Sequence, residues 1–295
     1  MQRLSNARIH GIPTRYETVP VKTSVIVTTY NSPAYLATVL NGYVQQTRMP
    51  DELVVADDGS TRETADVIDR FRSSAPFPVI HVWHEDRGFR AAAIRNKAVS
   101  ASFGDYIVFT DGDCIPSPTF IADHLHLSRK KSFIQGKRML LSREASGAVA
   151  RYRVVDLFFH ALRGDLRGCH HLIRIPGVAV KKGGLRGIKT CNLSLYREDI
   201  VAVNGFNEDF TGWGREDAEF AARLFAFGLK RIDPLFSAVV LHLWHRENSR
   251  DNLSLNDKLL QEGVVSGSHF CPNGLVKPSQ GTSTTEHTES GIQEP

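Results

Sequence analysis

The chain has 295 residues, 41% of them hydrophobic, and a net charge of +4, which allows one large domain with an appendage. The positive charge is weak and no Lys/Arg block is sustained, so no nucleic-acid partner is expected; a mildly basic balance suits an anionic ligand or a membrane surface. Cys114, Cys169, Cys191 and Cys271 form no CxxC pair, which argues against a zinc ribbon or a disulfide scaffold and for a reducing, cytoplasmic setting; no stretch approaches ~20 apolar residues, so no membrane span is expected.

Residues 1–20 are polar and irregular and lack the apolar run of a signal peptide. Residues 21–29 read as a first strand with Ser24-Val25-Ile26-Val27 at its heart. Tyr30-Asn31-Ser32-Pro33 breaks it, Asn31 or Ser32 caps the next helix, and Pro33 sits in the first turn. That helix runs to about 46 with Leu36, Val39, Leu40 and Tyr43 on one face. Leu53-Val54-Val55-Ala56 is a second buried strand ending in Asp57-Asp58-Gly59-Ser60, followed by a helix over 61–72 and a third strand over 79–83. A polar loop at 85–90 precedes an alanine-rich helix over 91–102, which carries Arg95 and Asn96. Tyr106-Ile107-Val108-Phe109-Thr110 is a fourth strand, and it runs straight into Asp111-Gly112-Asp113. Strands and helices alternating with short loops predict an α/β fold, a mostly parallel Rossmann-like sheet flanked by helices.

Beyond 116 the pattern loosens. Residues 118–130 and 148–162 read as helical, 132–136 and 191–196 as strands, and 197–203 as a short helix. Residues 163–189 are rich in Gly, Arg, Lys and His and read as a mobile loop. Gly212-Trp213-Gly214-Arg215-Glu216-Asp217 opens a helix to about 227, while Ile232 and 238–241 suggest edge strands. The domain reading is an irregular segment 1–20, one domain over 21–270 with a nucleotide-binding half (21–115) and an acceptor and catalytic half (116–270), and a disordered tail over 271–295.

Parallel strands place their carboxyl ends on one edge, where such sheets bind ligands. Four loops therefore converge: 28–31, 57–58, 85–90 and 111–113. They bring acids for a metal and a ribose or base, and arginines whose planar forks match phosphate oxygens. For Arg95 the plain alternative is an ion pair with a nearby acid, and for Asp57-Asp58 a turn plus a helix cap. Asp111 and Asp113 offer hard oxygens to a divalent cation, although Asp and Gly are also ordinary turn residues. Trp213 presents a flat face to a sugar or another ring. Glu216 and Asp217 sit at a helix start, where a carboxylate can serve as a general base or be a solvated acid pair. His242 and His245, three residues apart, could complete a ligand shell begun by Asp113; imidazole with carboxylate leans toward Mn²⁺ over Mg²⁺.

These residues together resemble the family 2 glycosyltransferases, the inverting group with the GT-A fold. Ser24-Val25-Ile26-Val27-Thr28-Thr29-Tyr30-Asn31 followed by Asp57-Asp58-Gly59-Ser60, then Asp111-Gly112-Asp113, carry the likeness. Gly212-Trp213-Gly214-x-Glu216-Asp217 looks like a galactosyltransferase-type C-terminal region. The resemblance covers roughly 21–250 and implies several roles. Thr28 and Tyr30 would line a uridine pocket, and Asp58, with Asp57, would hold the uracil. Asp111 would contact the ribose and sugar side and Asp113 the metal. Arg87 or Arg90, with Arg95, would contact the diphosphate or donor. Asp217 would be the base, with Glu216 helping to bind the acceptor. His242 and His245 stand where related β-1,4-galactosyltransferases carry a Met and a His on the metal, which leaves open which histidine binds. The implied activity is metal-dependent inverting transfer of a hexose from a UDP-sugar to a saccharide or lipid-linked acceptor in bacterial surface polysaccharide or lipopolysaccharide synthesis, with peripheral contact at the inner face of the membrane. A sugar-phosphate nucleotidyltransferase would want a Gly-rich signature with a Lys near the first strand, which residues 28–33 lack. A non-catalytic binding module would have no need of Asp113, Asp217 and the histidines together.

Overall fold

The computed structural model describes residues 21–149, 151–246 and 249–277, so the segment 1–20 and residues 278–295 lie outside the described residues. The first half follows the sequence pattern closely: β1 (Thr23–Thr29), α1 (Pro33–Tyr43), β2 (Glu52–Asp57), α2 (Arg62–Arg72), β3 (Val79–Trp83), α3 (Ala91–Ala101) and β4 (Tyr106–Asp111). These four strands are parallel in the order β3-β2-β1-β4. Their runs are apolar throughout because both faces are covered. Val25, Val27, Leu53, Val55, Tyr106 and Val108 pack with α1 and α2 on one face. Ile26, Val54, Ala56, Ile107 and Phe109 pack with α3 on the other. Successive side chains of a strand point to opposite faces, so one run feeds both cores. Neither Asn31 nor Ser32 caps α1 with its side chain. Asn31 instead accepts the Thr61 N–H at 2.9 Å, tying the first loop to the second.

After β5 (Cys114–Pro116) and α4 (Phe120–Leu127), the chain adds β6 (Ser132–Gln135), β7 (Lys137–Leu141), α5 (Arg143–Ser146), α6 (Val154–Leu162), β8 (Leu166–Arg167) and β9 (Ile175–Lys182). It then runs through β10 (Asn192–Tyr196), α7 (Arg197–Ala202), α8 (Glu216–Ala226), β11 (Lys230–Phe236), β12 (Val239–His242) and α9 (Leu253–Ser266). The main sheet has eight strands, β3-β2-β1-β4-β10-β6-β11-β9, and a second sheet has four, β5-β12-β7-β8. β10 is antiparallel to both β4 and β6, so the sheet is mixed beyond β4.

Several expectations change. Residues 163–189 are not one loop: β8, a 3-10 turn at Cys169–Leu172 and β9 lie within them, and β9 pairs antiparallel with β11. Its composition hid the strand because β9 is an edge strand, exposed at most positions. β11 and β12 are not edges, since each is paired on both sides. Helix α6 begins only at Val154, and α9 was not foreseen. The tail does not begin at 271. Cys271 is buried, and the Asn204 side chain donates to the Cys271 and Val276 carbonyls at 2.6 and 2.8 Å, which fixes this stretch to the α7 end.

Candidate active site

The loops at the carboxyl ends of β1–β4 do converge. Gly112 donates its N–H to the Thr28 carbonyl at 2.7 Å. A Cβ at Gly112 would lie 2.9 Å from Thr29 Oγ1, so the approach of the two strand ends requires a glycine there. Tyr30 donates its hydroxyl to Asp86 at 2.9 Å, and the Arg90 N–H donates to Asp58 at 2.8 Å. Asp58 is also held by His84 at 2.6 Å. Tyr30, Asp58 and Trp213 line one cavity of about 270 Å³, with Gly88, Phe89 and Asn252. Trp213 reaches it because Gly212, Gly214 and Arg215 all have positive φ (72°, 105° and 80°), a turn that swings the ring out before α8 begins.

Asp57 lies elsewhere. Its carboxylate is fully buried, bonded to His81 at 2.9 Å and to the Ser60 N–H at 2.8 Å, so it braces the turn and does not face the cavity. Its neighbours explain why: even positions of β2 point to one face of the sheet and odd ones to the other. The arginines also change roles. Arg87 stays exposed and pairs with Glu85 of its own loop at 2.7 Å. The Arg90 side chain donates to the Glu85 carbonyl.

Arg95 is buried at the centre of an acidic cluster instead of being offered to a phosphate. One of its terminal nitrogens is 3.5 Å from Asp111, and the other is 3.3 Å from Glu216 and 3.5 Å from Asp217. Its Nε donates to Thr28 Oγ1 at 3.3 Å. Burial would weaken its hold on the proton, yet Asp217, Asp111 and Glu216 keep that hold above the ordinary value. One guanidinium thus joins the β4 end to the start of α8.

Glu216 is buried and turned to Arg95, so it supports the cluster from beneath and is not presented to an acceptor. Burial, and then the Asp217 charge, pushes its carboxyl up to about 7. Asp217 remains partly exposed, its side chain at 22%. Its two oxygens accept from Thr190 Oγ1 at 2.7 Å and the Thr190 N–H at 3.0 Å. Neither Thr190 nor His84 carries a sequence signal; each meets its carboxylate only through the fold.

Asp113 lies beside both histidines: Oδ2 is 3.2 Å from His245 Nε2 and 3.7 Å from His242 Nε2. His245 Nδ1 donates to the Arg246 carbonyl at 2.8 Å. Nε2 is therefore the ring nitrogen aimed at Asp113. Burial, then Arg138 and His245, pushes His242 down to about 4, leaving a neutral imidazole. Asp113, Cys114 and His242 each place a ligand atom within 4.8 Å of the others. The Cys114 thiol donates to Asp113 at 3.2 Å, and burial raises it well above the usual thiol range, so it stays protonated. Asp111 Oδ1 is buried without a hydrogen bond. Carboxylate oxygens and imidazole nitrogens facing one another in this way fit a divalent cation.

A model of glycosyl transferase family 2 matches residues 24–181, and one for the N-terminal domain of galactosyltransferase matches residues 179–245. The chain is 29% identical over 258 residues to validoxylamine A glucosyltransferase of Streptomyces hygroscopicus subsp. limoneus, covering 76% of this chain and 52% of that protein. It is 28% identical over 246 residues to hyaluronan synthase of Pasteurella multocida, covering 72% of this chain and 24% of the relative. The chain thus spans about half the length of the first of these relatives and about a quarter of the second. Among solved structures, the mannosyltransferase PcManGT from Pyrobaculum calidifontis, in complex with GDP-Man and Mn²⁺, superposes with a TM-score of 0.54 at 21% identity over 78% of this chain and 59% of that one. S. aureus TarS 1-349 in complex with UDP gives 0.58 at 18% identity over 83% and 65%. These two likenesses concern the fold, which is GT-A. The family match runs from β1 to the end of β9, across the four converging loops, and on it the chain belongs to glycosyl transferase family 2.

Proposed function

We propose that the chain transfers a hexose from a UDP-sugar to a hydroxyl of a saccharide or lipid-linked acceptor, with inversion at the anomeric carbon. The observation that carries this reading is the Arg95 bridge, which sets Asp217 beside the Asp111–Asp113 end of β4. Uridine would sit in the cavity of Tyr30, Asp58 and Trp213. Asp113, His242 and His245 would hold a divalent metal, taken as Mn²⁺ with Mg²⁺ as the alternative. When bound, that ion neutralises charge growing on the departing diphosphate. Asp217, oriented by both Thr190 donors, accepts the acceptor hydroxyl's proton. The freed oxygen forms a bond to the anomeric carbon, the bond from that carbon to the diphosphate oxygen breaks, and the electron pair leaves on UDP. Arg95, 3.5 Å away, holds Asp217 in place.

Peripheral membrane contact belongs to the same reading. Helix α6 leaves Val154, Val155, Phe158, Phe159 and Leu162 more than half exposed, and Arg151, Arg153, Arg163 and Arg167 flank it. Apolar side chains framed by arginines suit an anionic lipid surface, such as the inner face of a membrane on which surface polysaccharide or lipopolysaccharide is built.

The test is Asp217→Asn. It should keep Mn²⁺-dependent UDP binding and lower kcat by about 10²–10⁴-fold, the range for a general base. Transfer at the unaltered rate would remove Asp217 from the mechanism.

A further inference from the structure

A second cavity, of about 660 Å³, opens between β7, β9, β11 and the segment before β10. It shares no lining residue with the cavity of Tyr30 and Trp213. Its lining holds six cations, Lys137, Arg138, Lys182, Arg186, Lys189 and Arg231, against one carboxylate, Asp233. Asp233 is buried and already engaged: Arg231 lies at 2.6 Å, Lys137 at 3.1 Å and Lys182 at 3.4 Å. Arg138, Arg186 and Lys189 have no carboxylate within ion-pair distance among the described residues. The lining histidine, His171, is pushed down to about 4 by burial and then by His170 and Lys137, so it is neutral.

Two of the lining residues, Lys189 and Arg138, adjoin the candidate site. Lys189 directly precedes Thr190, the residue that holds Asp217. Arg138 lies close enough to act by its charge on Asp113 and His242. A molecule that gives its hydroxyl to Asp217 therefore extends into a chamber lined by cations. Gathering six positive side chains around one acid is unfavourable unless an anion enters, and a recessed chamber concentrates their field.

We infer that this chamber is the acceptor subsite and that the acceptor carries an anionic group, a phosphate or a carboxylate, near the hydroxyl that is glycosylated. The inference rests on the transferase reading above and adds to it the acceptor's chemical class. On the transferase reading the donor diphosphate would not need these cations, because Asp113, His242 and His245 would hold a metal to meet its charge and its nucleoside would sit in the separate cavity.

The test uses the full chain with Mn²⁺ and UDP, titrated calorimetrically with methyl glucoside, methyl glucuronide and glucose 6-phosphate, with inorganic phosphate as competitor. The charged sugars should bind at least about tenfold more tightly than methyl glucoside, and phosphate should displace them. Raising salt should weaken them, since exposed charges are screened within about 8 Å at physiological ionic strength. The double variant Lys182→Ala, Arg186→Ala, at two exposed positions, should remove this preference and leave UDP affinity unchanged. A tighter glucose 6-phosphate assigns a phosphorylated acceptor, and a tighter glucuronide assigns a uronate. Equal binding of neutral and charged sugars, or no binding of the charged ones, overturns the inference while UDP binding still stands. Loss of UDP affinity in the double variant also overturns it, because the cations would then serve the donor. If the unaltered chain binds no UDP, the transferase reading itself falls.

Discussion

Asp217 depends on its neighbours more than on its own position. Thr190 gives it two hydrogen bonds and Arg95 a counter-charge, and all three groups come from different parts of the chain. Thr190→Val removes the hydroxyl and keeps the backbone N–H. A hydrogen bond to a charged group contributes about 1.5–3 kcal/mol, so kcat should fall by about tenfold or more. An unchanged kcat would take Thr190 out of the orientation of Asp217. At this scale, sequence reading named Asp113, Asp217, His242 and His245 from motifs that each span a few residues. It left open an ion pair between Arg95 and a nearby acid, but could not name Glu216, 121 residues away, as a partner. Asp57 accepts the Ser60 N–H and braces the turn, the alternative the sequence left open, while Asp58, just past the end of β2, lines the cavity.

Among the elements, the strands of the first half were legible because burial on both faces demands unbroken apolar runs. β9 was not, since an edge strand with exposed lysines carries no such run. The composition of 163–189 was nevertheless informative: its cations line the 660 Å³ chamber once β9 pairs with β11. Helix α6 is the element most open to a direct test. Only Leu157 of its nine residues is buried. Phe158→Ser with Phe159→Ser should reduce co-sedimentation with anionic vesicles by at least about tenfold, because withdrawing one such side chain from water contributes about 1.5–3 kcal/mol. Thermal stability should fall much less than membrane binding, as each ring is already more than half exposed. Undiminished sedimentation would reject the membrane contact. Among the described residues no helix is long and apolar enough to cross a membrane.

The molecule as a whole is held by two cores, one on each face of the mixed sheet, and by buried polar links between α4 and β10. His124 is one of these: its ring nitrogens bond Ser194 at 2.7 Å and Asn192 at 2.9 Å. Burial pushes it down to about 4. The unfolded chain takes up that proton near the ordinary value of about 6.5, so the contribution is present above 6.5 and lost as pH falls through about 4. The loss amounts to about 3 kcal/mol by that linkage. Tm measured from pH 8 to 4 should fall, and His124→Gln, though less stable at pH 7.5, should show a shallower fall. An equally steep fall in the variant would place the acid sensitivity elsewhere. The parallel half of the sheet and the acids at its rim can be read from residues 21–113, because periodicity and turn chemistry act over a few residues. Which strands join beyond β4, which carboxylates share Arg95, and where the cations gather were decided by tertiary structure alone, because those contacts join groups far apart along the chain and form only when both faces of the sheet close.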